Sequence, residues 1–412
     1  MEEIKYYKTE NEFEDICVVN GLCKILQDND IEYYLIAKKS HYLIQAENFN
    51  NDELCFCDID ISDANNIHKG YIKYKERTIK ELNEFFNSNI NNVFNMIQDK
   101  KILSNKKEDC LLVGTHFYTK SFRIEKSNAT LKTSEIIRNL AFFGHIYSTS
   151  MAENNNVQII SVLIPKNNEK IINIIKPVVK KVQKKDGTII NLTRLNDYKE
   201  VEVMATNYIQ TVMEFFHHKH QYKKVLMMVL DLTGNNVMAN KTYSIDMPEY
   251  SYYTYESLNQ ILSYTKNYNV RDITAKFIIF KRYDIFSKLL KTYAQSEQKI
   301  GNGEEIINMY GEQVQKIFNN KSIKKIGGKL NYLLYKNKGF DILTKLYYVN
   351  NTKMLVNVIR HIVDNYKRYI SHSAIDDVEL QDIVNLIKTQ SDAQICADAI
   401  ISYARVFKKE EK

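Results

Sequence analysis

Residues 225–247, VLMMVLDLTGNNVMANKTYSIDM, are followed at once by Pro248, the last proline in the chain. Two β-prone runs flank Gly234-Asn235-Asn236, so the stretch predicts a hairpin. From there the chain runs to Lys412 without another proline, and its apolar spacing changes from near 2 to near 3.6. That change predicts an α+β protein: a mixed α/β domain over 1–250, a helical connector over 251–300, and an all-α helical bundle over 301–412.

Upstream, DICVVNGLCKILQD (15–28) has helical spacing, and EYYLIAKKSHYLIQA (32–46) predicts a hairpin around Lys38-Lys39-Ser40. TIKELNEFFNSNINNVFNMIQ (78–98) predicts one long helix. TSEIIRNLAFFGHIYSTSM (133–151) predicts another, with a Thr or Ser cap and Glu135 in its first turn. VQIISVLIP (157–165) predicts a strand, and NEKIINIIKPVVKKVQ (168–183) a basic amphipathic helix. Downstream, helices are expected over 304–318, 353–370, 377–387 and 391–407, the last opening on a Ser391…Gln394 capping box.

The chain is long enough for a sizeable core, with 412 residues, 44% of them apolar and 26% charged. No apolar run approaches the ~18 residues that cross a bilayer. The polar, acidic start MEEIKYYKTENEFED predicts no secretory signal, so the cytoplasm is the expected compartment. Cys17, Cys23, Cys55, Cys57, Cys110 and Cys396 are scattered, which favours reduced thiols. Charge is unevenly placed. Residues 1–64 hold fifteen acids and five lysines, a net of −10. Residues 320–372 hold nine lysines, two arginines and two acids, Asp341 and Asp364, a net of +9. Residues 166–199 add nine cations against three acids. Such asymmetry predicts a polyanion partner or subunit contacts between acidic and basic faces.

Enzyme signatures are missing. Gly328-Lys329 resembles the end of a phosphate loop, but Leu330 stands where the hydroxyl belongs and Ile323 where the first glycine belongs. No cofactor is expected. His217 and His220 are spaced to share a helix face and a metal, but no ligand lies nearby in sequence; His218 beside them and three lysines favour a wet helix end. Cys55 and Cys57, with His41 and His68, form a weak zinc set, less favoured than a hairpin edge. Asp58, Asp60 and Asp63 have the spacing of a cation-binding loop without its glycine and terminal glutamate. They are the carboxylates a metal-dependent nuclease would use, and an exposed acidic loop is the simpler reading.

The basic stretches carry the stronger signal. In KMLVNVIRHIVDNYKRYI (353–370), Lys353, Asn357, Arg360, Asp364 and Lys367 form one polar stripe opposite Leu355, Val358, Ile362 and Tyr366. In NKSIKKIGGKLNYLLYKNKGF (320–340), Gly327-Gly328 reads as a break between helices and Gly339 as a stop. There Lys329 and Lys336 lie seven apart on one face, after Lys324 and Lys325. Tyr332, Tyr335, Tyr347 and Tyr348 stand close by in sequence. Cations for phosphates and rings for bases are what single-strand binding needs. The competing reading is a solvated helix face made basic by a lysine-rich composition; the scarcity of acids favours the first.

The layout resembles the large subunit of a type I CRISPR surveillance (Cascade) complex, in the compact I-A/I-B form. FEDICVVNGLCKILQDNDIEYYLI (13–36) is similar to the opening of such subunits, and IIRNLAFFGHIYSTSM with VQIISVLIP (136–165) to a helix-then-strand unit in them. The last helices resemble their small-subunit-like bundle. The resemblance implies a non-catalytic protein with guide RNA and target DNA as partners. Its protein partners would be the backbone and cap proteins, the small subunit and a nuclease–helicase. It would read a short flanking motif on duplex DNA and guide the displaced strand. Lys324, Lys325, Lys329, Lys336, Lys353, Arg360 and Lys367 would then contact the strand. Asn105, Lys106 and Lys107, in SNKKED (104–109), are the candidates for the duplex. An internal start at Met309 would yield a separate 104-residue product. The alternatives are a protein-binding scaffold of viral or mobile-element origin and the metal-dependent nuclease.

Overall fold

The computed structural model describes residues 1–9, 11–60, 75–99, 108–109, 132–148, 150–153, 157–168, 170–171, 181–183, 189–191, 222–231, 238–246, 252–369 and 377–408. The fold is α+β. The chain divides into two units, Met1–Met247 and Pro248–Lys412.

In the first unit, β1 (Glu2–Tyr7), β2 (Tyr33–Ala37), β3 (His41–Ala46) and β8 (Lys170–Ile171) form an antiparallel sheet in the order β1-β3-β2-β8. The predicted 32–46 hairpin is its centre, with Ile36 opposite Leu43. Two short strands, β4 (Glu108–Asp109) and β5 (Lys132–Thr133), pair with each other, and a second four-stranded sheet has the order β12-β11-β7-β6: β6 is Ser150–Glu153, β7 Val157–Pro165, β11 Tyr222–Asp231 and β12 Met238–Asp246. The opening stretch supplies β11 and β12, paired with Val225 opposite Ile245.

The core lies where α1 (Glu12–Asp28) crosses α4 (Glu135–Ser148). Two glycines set that crossing. A Cβ on Gly144 would stand 1.9 Å from the Cys17 carbonyl oxygen, and one on Gly21 2.5 Å from that of Leu140. The two helices therefore touch backbone to backbone. Phe86 and Phe143 lie beside this crossing with ring centroids 5.0 Å apart. The α4 cap is Ser134, whose hydroxyl accepts from the Ile137 N–H at 3.5 Å.

Two helix expectations fail in this unit. The 78–98 segment is broken into α2 (Lys75–Asn89), a 3₁₀ turn (Ile90–Asn92) and α3 (Val93–Gln98). Asparagine side chains compete for backbone groups there; Asn89 donates to the Phe85 carbonyl at 2.8 Å. The predicted helix over 168–183 is contradicted at both ends. Ile171 pairs with Leu35 at a sheet edge, and β9 (Lys181–Gln183) pairs with β10 (Ile189–Asn191). The segment is rich in isoleucine and valine and contains Pro177, all of which disfavour a helix.

In the second unit, the regular elements of the described residues are helices, with one isolated parallel bridge between Ile300 and Phe407. Its helices are α5 (Tyr252–Tyr264), α6 (Tyr268–Phe280), α7 (Tyr283–Ser296), α8 (Gly303–Ile307), α9 (Glu312–Phe318), α10 (Lys321–Tyr335), α11 (Phe340–Tyr347), α12 (Thr352–Lys367), α13 (Asp377–Leu386) and α14 (Gln390–Ile401). The 252–296 helices thus belong to the same unit as those that follow. Helix α14 is the axis: Asp392, Ala393 and all residues from Ile395 to Ile401 are buried, against α7, α9, α10, α11 and α12.

Helix α14 opens on a capping box two residues earlier than expected. The Asp392 carboxylate accepts from the Thr389 N–H at 2.9 Å, and the Thr389 hydroxyl from the Asp392 N–H at 3.3 Å. It continues into a π-helical turn, Ser402–Val406. The segment 304–318 is two short helices, because Gly311 leaves the helical conformation at the α9 N-cap (ψ 161°). Asp398 on α14 is fully buried; its carboxylate accepts from the Tyr283 hydroxyl at 3.2 Å and lies 3.9 Å from the Lys291 ammonium. A product starting at Met309 would lack α7 and both partners.

Candidate nucleic-acid interface

Gly327-Gly328 lies in the middle of α10, which runs unbroken from Lys321 to Tyr335. It is not the break the sequence suggested, and its N–H groups sit within the helical ladder, where no phosphate loop can form. The two glycines differ. A Cβ on Gly327 would meet Tyr403 Cβ at 2.6 Å and the Ile400 carbonyl at 3.2 Å, whereas one on Gly328 would meet nothing within 4 Å. Gly327 therefore allows α10 to cross α14 closely. Gly339 is the N-cap of α11, not the end of α10.

The apolar stripe of α10 is Ile323, Ile326, Leu330, Leu333 and Leu334, all buried. Its first turn carries Lys321 and Lys324 and no acid, and Lys325 follows in the next turn. Cations at a helix N-terminus oppose the helix dipole, at a cost of typically 0.3–1 kcal/mol each. Glu304 offsets part of this: the Lys324 ammonium donates to its carboxylate at 2.6 Å and also lies over the Tyr403 ring. Lys324 is thus tied into the bundle; Lys325 next to it is exposed.

Helices α10 and α12 meet through rings. The Lys329 ammonium lies 5.6 Å from the Tyr366 ring centre, and Tyr332 packs edge-on against that ring at 5.5 Å. Lys329 and Tyr366 are therefore half-buried members of the seam. Lys336, the C-cap of α10, is exposed beside the Tyr332 and Tyr335 rings. On α12 all five stripe residues, Lys353, Asn357, Arg360, Asp364 and Lys367, are exposed, while Leu355, Val358 and Ile362 are buried.

Of the tyrosines, Tyr335 is 79% exposed and Tyr348 71%; Tyr347 is half-buried, and burial pushes its hydroxyl up to about 12. Tyr369, at the end of the α12 stripe, is also exposed and was not singled out in the sequence. The unit therefore exposes five of the expected cations, Lys325, Lys336, Lys353, Arg360 and Lys367, and three rings, Tyr335, Tyr348 and Tyr369, on α10, α11 and α12 or at their ends.

Asn105, Lys106 and Lys107 lie outside the described residues, as do His68, Asp63, His217, His218 and His220. Glu108 and Asp109 pair with Thr133 and Lys132. The Asp58 carboxylate accepts from the Asn87 amide at 2.7 Å. Cys55 and Cys57 are free and exposed. Among the described residues no three His, Cys, Asp or Glu side chains are grouped to hold a metal. No described helix is long and apolar enough to cross a membrane.

The first unit holds a cation cluster that windowed charge counts hide. The Lys8 ammonium donates to the Lys38 carbonyl at 2.5 Å, and that of Lys38 to the Asn168 amide oxygen at 3.0 Å. Lys223 and Lys224 reach Glu12 at 3.4 and 2.5 Å. Burial, and next the charge of Lys223, lower the Lys8 ammonium from its ordinary value. Burial, then Lys5, Lys38 and Lys8, do the same to His41. Three of the five lysines in the acidic first 64 residues, Lys5, Lys8 and Lys38, thus gather on one region, and β11 adds two more. Sequence alone offered no signal, because the pairing that joins 8, 38 and 223 is long-range.

No protein-family model matches the chain, and no curated protein matches it.

Proposed function

We propose that this protein binds nucleic acid without catalysing a reaction on it, and that its helical unit holds a single strand along α10 and α12. The observation that carries this reading is the exposed stripe Lys353–Arg360–Lys367 on α12 with Lys336 at the end of α10, together with the exposed rings of Tyr335, Tyr348 and Tyr369 at the ends of α10, α11 and α12. Ammonium and guanidinium groups neutralise phosphates, and exposed rings stack on bases. The cationic first turn of α10 adds to it: a helix end that repels its own lysines is relieved by a bound anion.

In its finer form, the reading is the large subunit of a type I CRISPR surveillance complex, held with guide RNA and neighbouring subunits. The resemblance in layout supports it, and so does the division between a mixed unit and a helical one. In such complexes base pairing reads the sequence, so the protein needs charge and shape rather than a catalytic centre.

The test is titration of a labelled single-stranded DNA at two salt concentrations. Each phosphate contact contributes about 0.7 to the slope of log affinity against log salt. The triple variant Lys336→Ala, Arg360→Ala, Lys367→Ala should lower that slope by about 2. An unchanged slope, or no binding by the parent, refutes the interface. RNA that co-purifies with the protein from its native host supports the finer form, and its absence counts against it.

A further inference from the structure

The helical unit contains a cavity of about 540 Å³ away from the α12 stripe, walled by the end of α5, the turn after it and the chain beyond α7. Three lysines from distant parts of the sequence converge there: Lys266, Lys299 and Lys408. Backbone pairing joins the two segments that carry Lys299 and Lys408. The Ile300 N–H donates to the Val406 carbonyl at 2.9 Å, and the Lys408 N–H to the Ile300 carbonyl at 3.0 Å. Lys266 comes from the α5–α6 turn, which Thr265 steadies by accepting from the Asn267 N–H at 3.2 Å.

The one carboxylate in the wall, Glu297, is engaged by the Arg405 guanidinium at 2.5 Å. None of the three ammonium groups has an ion-pair partner among the described residues. Ser257 and Gln260 add a hydroxyl and an amide. Gly301 lies beside the wall: a Cβ there would stand 2.9 Å from the Ser257 hydroxyl oxygen and 3.9 Å from Cδ of Lys408, so it would crowd both side chains.

We propose that this cavity binds a small phosphorylated molecule carrying at least two phosphate groups, through Lys266, Lys299 and Lys408. Three unopposed cations call for a compact ligand of about three negative charges, which a diphosphate supplies and a single carboxylate does not. Lysine binds phosphate as a point charge, with no need for the planar fork that favours arginine. The volume falls within the range of about 300–1,000 Å³ usual for small-molecule sites. A nucleic-acid strand fits the site less well, because no aromatic ring lines it.

The experiment is calorimetric titration of the full chain with inorganic pyrophosphate, with adenosine as an uncharged control. Saturable binding of one pyrophosphate, and none of adenosine, is expected. The pair K266Q/K299Q should weaken it at least tenfold, and K266R/K299R should return it to near the parent. Gly301→Ala, which changes no charge, should weaken it several-fold. R360Q/K367Q should leave it unchanged, which separates this site from the α12 stripe. Absence of saturable binding overturns the proposal. So does equal loss in R360Q/K367Q, or parent-like binding by K266Q/K299Q when its thermal melt matches the parent's.

Discussion

The two units carry positive charge in opposite ways. In the helical unit it follows local sequence: a stripe every three or four residues becomes one exposed helix face, with rings beside it. In the mixed unit it is assembled over long range, from the end of β1, the β2–β3 turn and the start of β11. Among the described residues of that unit no tyrosine or phenylalanine is exposed. Charge without rings grips a backbone, whereas charge with rings can also hold unpaired bases.

The largest effects should come from the glycines that let helices touch. Gly144→Ala places a methyl group against rigid backbone on α1, so a loss of about 3 kcal/mol or more is expected in urea unfolding. Gly327→Ala meets Tyr403 Cβ at 2.6 Å and should cost the helical unit about 1–3 kcal/mol. Equal stability of either variant and the parent would remove these crossings as the fixed points of the two units.

Buried acid is a trait the units share. Burial pushes Asp15 up to about 6, against hydrogen bonds from Tyr6 and Thr9. It does the same to Asp398, against Lys291, Ser287 and Tyr283. A carboxyl that titrates higher when folded than when unfolded binds more protons in the folded state. Its contribution is therefore greatest below about pH 4, falls as pH rises to about 6, and is level beyond. For each group the fall is on the order of 3 kcal/mol. Asp398→Asn should flatten that slope in the helical unit and Asp15→Asn in the mixed unit, as read from urea midpoints between pH 4 and 7. A slope that survives both substitutions places the titration elsewhere.

The contrast in surfaces is tested by the ligands they prefer. Tyr335→Ala should cost about 1–3 kcal/mol of single-strand affinity if a base stacks there, with Tyr348→Ala similar. Substituting Lys38 and Lys223 by glutamine should lower affinity for duplex and single strand alike, since phosphates occur in both. A tyrosine variant that weakens both forms equally erases the distinction between the surfaces.

How much of this could be read from sequence follows the same division. The α12 stripe was legible because helical contacts repeat within four residues. The two hairpins were legible from their turns. The 78–98 break was not, because the asparagines that cause it act through side-chain bonds that no apolar pattern records. The strand at Lys170–Ile171 was missed because its partner, β2, is more than a hundred residues away. The Lys8–Lys38–Lys223 cluster was hidden for the same reason. Gly327-Gly328 misled because a glycine needed for close packing and one that merely tolerates its place look identical in sequence.

That last ambiguity yields the smallest effect and the finest test. Gly328 is exposed in mid-helix, with open space where a methyl group would stand. Alanine there should stabilise the helical unit by about 0.5–1 kcal/mol, since glycine loses more backbone freedom on folding. Opposite signs for Gly327→Ala and Gly328→Ala, one residue apart, would separate packing from propensity within a single helix. The same variant also bears on the strand. A phosphate that approaches the bare backbone at Gly328 would be pushed off by the added methyl group, and affinity would drop as stability rises. Unchanged affinity would place the strand over the lysine and tyrosine side chains, as the α12 stripe implies.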